Sequence, residues 1–152
     1  MFISIYIHHR FWGSDYRLVN EILFKEVKCM KDIEQYLDQN KSCSFNELLF
    51  SYIDRSGLLD CEVYKKVYID RKLFSKIRCS KNYIPKKSNV IKLGLALSLD
   101  RGELDNLLSS AGYTLSTTND FDLIIAFCVE NNVYDLDIIN NYLYKFCGTV
   151  LN

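Results

Sequence analysis

The sequence predicts an all-α fold with a helix-turn-helix at its centre, and three observations carry that expectation. Apolar residues recur at three- and four-residue spacing along most of the 152-residue chain. Helix start signals precede those stretches at Ser44 with Glu47, at Asp70, at Asp100 with Glu103 and at Asp135. Between Asp60 and Ile77, Val63 and Val67 share one face of a short helix, and Phe74 and Ile77 give the next helix an inner face against it. Arg71, Lys72 and Lys76 then point outward, and a short helix, a tight turn and a second helix with cations near its start is the arrangement that reads a DNA major groove.

In chain order, residues 2–7 are β-branched and aromatic and read as a short strand or an apolar lead-in, broken at Gly13 and Ser14. Leu18, Val19, Ile22, Leu23, Val27, Met30, Ile33 and Leu37 predict one long amphipathic helix over 15–39, or two with a kink, whose stripe needs a partner. Residues 40–43 read as a linker, so 1–43 form an N-terminal segment. The capping box at Ser44 opens a helix through Phe45, Leu49, Tyr52 and Ile53, which Gly57 stops. Helices follow at 60–67 and 70–78. A fourth enters at Pro85, with Gly94 and Ala96 small enough for a close crossing, and a fifth runs from Asp100 to Ala111-Gly112. This five-helix block, 44–113, is the expected core domain. Residues 114–152 are expected to pack on it as two helices, the last with Ile138, Ile139, Tyr142, Leu143 and Phe146 turned inward and closed by Gly148.

Formal net charge is zero, which argues against a uniformly basic nucleic-acid protein, but the charges are segregated. Residues 62–92 hold ten cations against Glu62 and Asp70, whereas residues 93–152 hold eight acids against Arg101 and Lys145. The hydrophobic fraction of 49% supports a core. The six cysteines form no C-x-x-C pair, and with only His8 and His9 as histidines no metal-ligand spacing arises. The start of the chain does not read as a signal peptide, no stretch approaches the roughly 20 apolar residues of a membrane span, and reduced cytoplasmic thiols are the simplest account.

Arg71, Lys72 and Lys76 are the candidates for direct base readout, a good bidentate contact contributing about 1–3 kcal/mol of discrimination. Lys65, Lys66, Arg78, Lys81, Lys86, Lys87 and Ser88 are candidates for flanking phosphates, and Asp70 caps the helix rather than touching a base. Tyr64, Tyr68 and Tyr83 lie near this face and suit a protein interface, stacking on a single strand, or the core. No nucleophile-base constellation, P-loop or dinucleotide fingerprint is present, so no enzyme and no cofactor are expected. The pair His8-His9 reads as surface, and Cys61 and Cys79, which flank the motif, read as buried bystanders, with redox sensing as the alternative.

The block 44–112 resembles the Xre or lambda-repressor-like helix-turn-helix domain. Val63, Ile69, Phe74, Ser75 and Ile77 fall in that family's register, as do Pro85, Val90, Leu93, Gly94, Leu97 and Leu104 after a loop one residue longer. Ser75 thereby joins the expected nucleic-acid contacts. Tyr64 replaces the family's small alanine, Tyr68 its turn glycine and Leu73 a polar residue offered to a phosphate, which implies a wider turn or splayed helices. DRKLFSKIR, Tyr83-x-Pro85, AGYTLS and FDLII…YDLDIIN look like a narrower family of uncharacterised bacterial proteins, in which this module stands nearly alone or follows a domain such as an ADP-ribose-binding macro domain. That likeness covers 44–147 and implies a bacterial cytosolic protein without bringing an activity. The resulting expectation is a DNA-binding regulator reading DNA through 70–78, a homodimer through the helix 15–39. The alternative is an interaction module that turns the same basic face to a protein or RNA partner.

Overall fold

The computed structural model describes residues 16–41 and 43–151. Its helices are α1 (Tyr16–Asn40), α2 (Phe45–Ser56), α3 (Asp60–Lys66), α4 (Arg71–Cys79), α5 (Lys87–Ala96), α6 (Arg101–Ser110), α7 (Asp120–Glu130) and α8 (Leu136–Cys147). Among the described residues there is no strand, and the fold is all-α. Residues 2–7, read as a strand or lead-in, and His8-His9 lie outside the described residues. The chain divides into two units, 1–41 and 42–152.

The first unit is carried by α1, 25 residues long and about 37 Å from end to end. It begins and ends one residue later than the spacing predicts. Ile22, Met30, Ile33 and Leu37 are all exposed on it.

In the second unit, local chemistry sets the helix ends. The Ser44 hydroxyl accepts from the Glu47 N–H at 3.3 Å while the Glu47 carboxylate accepts from the Ser44 N–H at 3.0 Å, and Gly57 ends α2 at φ +68°. Asp70 accepts from the Lys72 N–H at 2.6 Å to start α4. Asp100 and Glu103 form a second capping box at α6. The Asp135 side chain takes the N–H groups of Asp137 and Ile138, both at 3.0 Å, and Gly148 closes α8 at φ +65°. Pro85 departs from expectation. It lies buried ahead of α5, whose first intrahelical bond runs from the Val90 N–H to the Lys86 carbonyl at 3.1 Å. Proline's fixed φ suits an extended lead-in as well as a first turn, and the Pro85 carbonyl accepts from the Tyr113 hydroxyl at 3.2 Å.

The core surrounds α5. Every residue from Val90 to Ala96 is buried, so this helix is enclosed on all sides by its neighbours. Gly94 makes the crossing with α6 possible, since a Cβ there would fall 2.5 Å from the Leu104 Cδ1. Val63, Phe74 and Ile77 are buried in the same core. The C-terminal helices differ from expectation. Leu136, Ile139 and Leu143 of α8 face inward, but Ile138, Tyr142 and Phe146 are exposed, as are Leu123 and Phe127 of α7. Both rows of α8 keep the three- or four-residue spacing of one helix face, so periodicity alone does not say which one is covered.

The turn between α3 and α4 is tight, not widened. The Tyr68 N–H donates to the Lys65 carbonyl at 3.2 Å and the Ile69 N–H to the Tyr64 carbonyl at 2.9 Å, with Tyr68 in the left-handed region at φ +54°. That conformation costs a residue other than glycine roughly 1–2 kcal/mol, and Tyr68 recovers little by packing, being 70% exposed. We expect Tyr68→Gly to stabilise the fold by about 0.5–1 kcal/mol, read as a Tm rise of roughly 2–4 °C. An unchanged or lowered Tm would show that the tyrosine ring compensates for its backbone.

Candidate nucleic-acid interface

Helix α4 is buried along Phe74 and Ile77 and exposed along an arc that holds Arg71, Lys72, Ser75, Lys76 and Arg78. Arg71 and Ser75 form one row four residues apart, continued by Cys79, and Lys72 and Lys76 form the adjacent row. The edges of the arc are fixed. The Arg78 guanidinium donates to Asp60 at 2.5 Å and lies 4.3 Å over the Phe50 ring, and the Lys76 ammonium sits 4.1 Å over the ring of the half-buried Tyr83. Tyr64 packs its ring 5.4 Å from Phe74, which places it in the core rather than on the face. Leu73 is half-buried against the core, which accounts for an apolar residue there.

The centre of the arc is free. Among the described residues, Arg71 and Lys72 have no ion-pair partner, and neither do the exposed Lys65, Lys81 and Lys86. Arg71 and Lys72 occupy the first turn of α4, which holds no acid inside it. Cations at the positive end of a helix dipole cost about 0.3–1 kcal/mol each; the capping carboxylate of Asp70 faces that end through the Lys72 N–H, so an arriving anion would meet chiefly the side chains of Arg71 and Lys72.

Two of the expected phosphate contacts are occupied inside the molecule. The Lys66 ammonium donates to the Ala96 carbonyl at 2.9 Å, at the negative end of α5. The Lys87 ammonium donates to both oxygens of Asp122, at 2.6 and 2.8 Å, and Asp122 also accepts from the Ser116 N–H at 2.8 Å. Asp122 is 1% exposed, so the pair neutralises Lys87 and ties the start of α5 to α7. Ser88 is half-buried. Lys92 is only 7% exposed and carries no ion pair, and burial pushes its ammonium below the usual lysine range.

A residue the spacing did not single out holds the far end of α4. Asn46 is buried, and its Nδ2 donates to the carbonyls of Ile77 at 2.6 Å and Ser80 at 3.3 Å. Its signal in the sequence is a carboxamide next to Phe45 and three residues before Leu49, on the face of α2 that the apolar residues share. Cys79 is exposed at the end of the Arg71–Ser75 row and Cys61 is half-buried, so neither is the buried bystander expected; Cys128 is buried, and its thiol is pushed upward by that burial. Among the described residues no three His, Cys, Asp or Glu side chains gather as a metal would require, and no helix is long and apolar enough to cross a membrane.

No family model, no curated protein and no solved structure matches the chain.

Replacing Asp122 with Asn keeps its shape but leaves the Lys87 ammonium without a counter-charge. Because Lys87 is partly solvated, we expect Asp122→Asn to cost about 1–3 kcal/mol in urea-induced unfolding. A cost near zero would mean that water replaces the pair.

Proposed function

We propose that this protein binds duplex nucleic acid through α4, as a DNA-binding regulator of helix-turn-helix type. The observation that carries the reading is the first turn of α4. Arg71 and Lys72 stand there without counter-ions, beside the exposed Ser75, on a helix clamped at its far end by Asn46 and at its edges by Asp60 and Tyr83. Two cations at the wrong end of a dipole reduce stability, which is understandable if their partner is a phosphate or a base edge that arrives from outside. Lys65, Lys81 and Lys86 supply further free charge for the backbone. Lys66 and Lys87 act structurally in this reading, and Lys76 and Arg78 contact phosphate only from fixed positions.

One helix of this size reads a short site, so we place the protein on DNA as a homodimer, with half-sites about 34–36 Å apart. Helix α1 is the dimer element. Tyr16, Val19, Leu23, Met30, Ile33 and Leu37 follow a three-four spacing interrupted only at Glu26, and Met30, Ile33 and Leu37 are exposed. Tyr68, exposed at the turn, favours the second reading, in which the basic face meets an acidic protein or RNA.

Anisotropy with random-sequence duplex DNA tests the proposal. Five free cations on each protomer predict a loss of at least about 10²–10³-fold in affinity between roughly 50 and 200 mM salt, and a larger loss for the dimer. Arg71→Glu with Lys72→Glu should remove binding and, by putting acids in place of cations at the positive end of the dipole, raise stability by roughly 1–2 kcal/mol. Binding that survives the double reversal would take α4 out of the interface, and a folded protein that binds at neither salt would leave the interaction module as the better reading. Sedimentation at tens of micromolar should show a dimer; a monomer would remove α1 from the role given to it.

A further inference from the structure

We propose that Tyr68 is a stacking platform for an unpaired base, so that the nucleic acid taken by this face carries a base out of the stack beside the duplex bound by α4. The inference rests on the nucleic-acid reading of α4 given above. Tyr68 stands in the turn between α3 and α4. Its chain neighbours Val67 and Ile69 are buried, and Tyr68 itself is 70% exposed. Its N–H closes the turn on the Lys65 carbonyl at 3.2 Å. Its side chain makes no hydrogen bond, ring contact or cation contact among the described residues. The nearby tyrosines are employed: Tyr64 packs on Phe74, and Tyr83 lies under the Lys76 ammonium.

The fold gains nothing from this ring. A left-handed turn position is filled at less cost by glycine or asparagine. A hydrogen bond to phosphate would be supplied equally well by asparagine, serine or a backbone N–H. What tyrosine adds is a rigid flat ring with few torsions to fix on binding.

The groups around the ring select a nucleotide as its occupant. Lys65 before the turn and Arg71 and Lys72 after it are exposed and have no ion-pair partner among the described residues. The acids of the same stretch are engaged. Asp60 pairs with Arg78, the Glu62 carboxylate accepts from the Leu59 N–H at 2.7 Å, and Asp70 accepts from the Lys72 N–H at 2.6 Å. Tyr68 precedes Arg71 by three residues, no more than about 11 Å of backbone, so one ligand meets both. A nucleotide outside the stack offers a π face for the ring and phosphates for the cations on either side. A base inside a paired duplex is covered above and below by its neighbours, and reaching its face requires taking it out.

The experiment measures anisotropy of the full chain at about 50 mM salt with two labelled duplexes of roughly 20 base pairs. One is perfect, and the other carries a single unpaired adenine at its centre; both are made in DNA and in RNA. The bulged duplex should bind about five- to a hundredfold more tightly than the perfect one. Tyr68→Phe, which keeps the ring, should keep that ratio, and Tyr68→Gly should bring it close to one. Glycine suits the left-handed turn, so a melting curve should show this variant folded. With 2-aminopurine at the bulge, fluorescence should fall on binding to the parent and to Tyr68→Phe but not to Tyr68→Gly. The backbone that shows the preference identifies DNA or RNA as the source of the base. The proposal is overturned if bulged and perfect duplexes bind equally in both backbones, or if the preference survives Tyr68→Gly. Loss of the preference in Tyr68→Phe also overturns it, because the hydroxyl and not the ring is then the contact. A folded protein that binds none of the four duplexes removes the nucleic-acid reading of α4 itself, and this proposal with it.

Discussion

Helix α5 is the constraint on which the second unit depends. A helix buried from Val90 to Ala96 has no solvent face, so every helix around it must supply a matching apolar surface. The small Gly94 lets α6 cross close enough for Leu104 to fill the space a methyl group would occupy. The two ends of α5 are tied to neighbouring helices through lysines. Lys66 answers the carbonyl of Ala96 at one end, and Lys87 at the other is fixed by the buried carboxylate of Asp122. Each reaches across some thirty residues, so these contacts join α3, α5 and α7 into one body.

The positive charge of the middle segment thereby sorts into two kinds. Lys66, Lys87 and Arg78 are spent on internal partners, and Lys76 on an aromatic ring. Arg71, Lys72, Lys65, Lys81 and Lys86 remain exposed and unpaired. The separation is physically meaningful because a cation already saturated by a carboxylate offers little to a phosphate, whereas an unpaired one at a helix start is held ready for an anion. The same logic holds in reverse at the other end of the chain. There Asp120, without an ion-pair partner among the described residues, lies in the lining of an exposed aromatic groove.

Neither unpaired charge nor exposed aromatic surface helps this chain fold. Tyr68 adds a third feature of the same sort, a bulky residue in a left-handed turn where glycine would be easier. All three lie on the outside of α3, α4, α7 and α8, around a core in which no buried side-chain nitrogen or oxygen lacks a partner among the described residues.

What the amino-acid order determined by itself is the set of helices and most of their ends. A capping box, an aspartate before a first turn or a left-handed glycine acts over three or four residues, so Ser44 with Glu47, Gly57, Asp70, Asp100 with Glu103, Asp135 and Gly148 are readable without knowing the fold. The buried face of α4 and the close approach at Gly94 were readable for the same reason, since helical period fixes what shares a face. Tertiary structure alone decided which apolar stripes are covered. Ile138, Tyr142 and Phe146 repeat as regularly as Ile139 and Leu143, and only the position of neighbouring helices sends one row inward and the other to water. It also decided which lysines are free. The partners of Lys66 and Lys87 stand 30 and 35 positions away, and no local pattern encodes a contact made through space between separate helices.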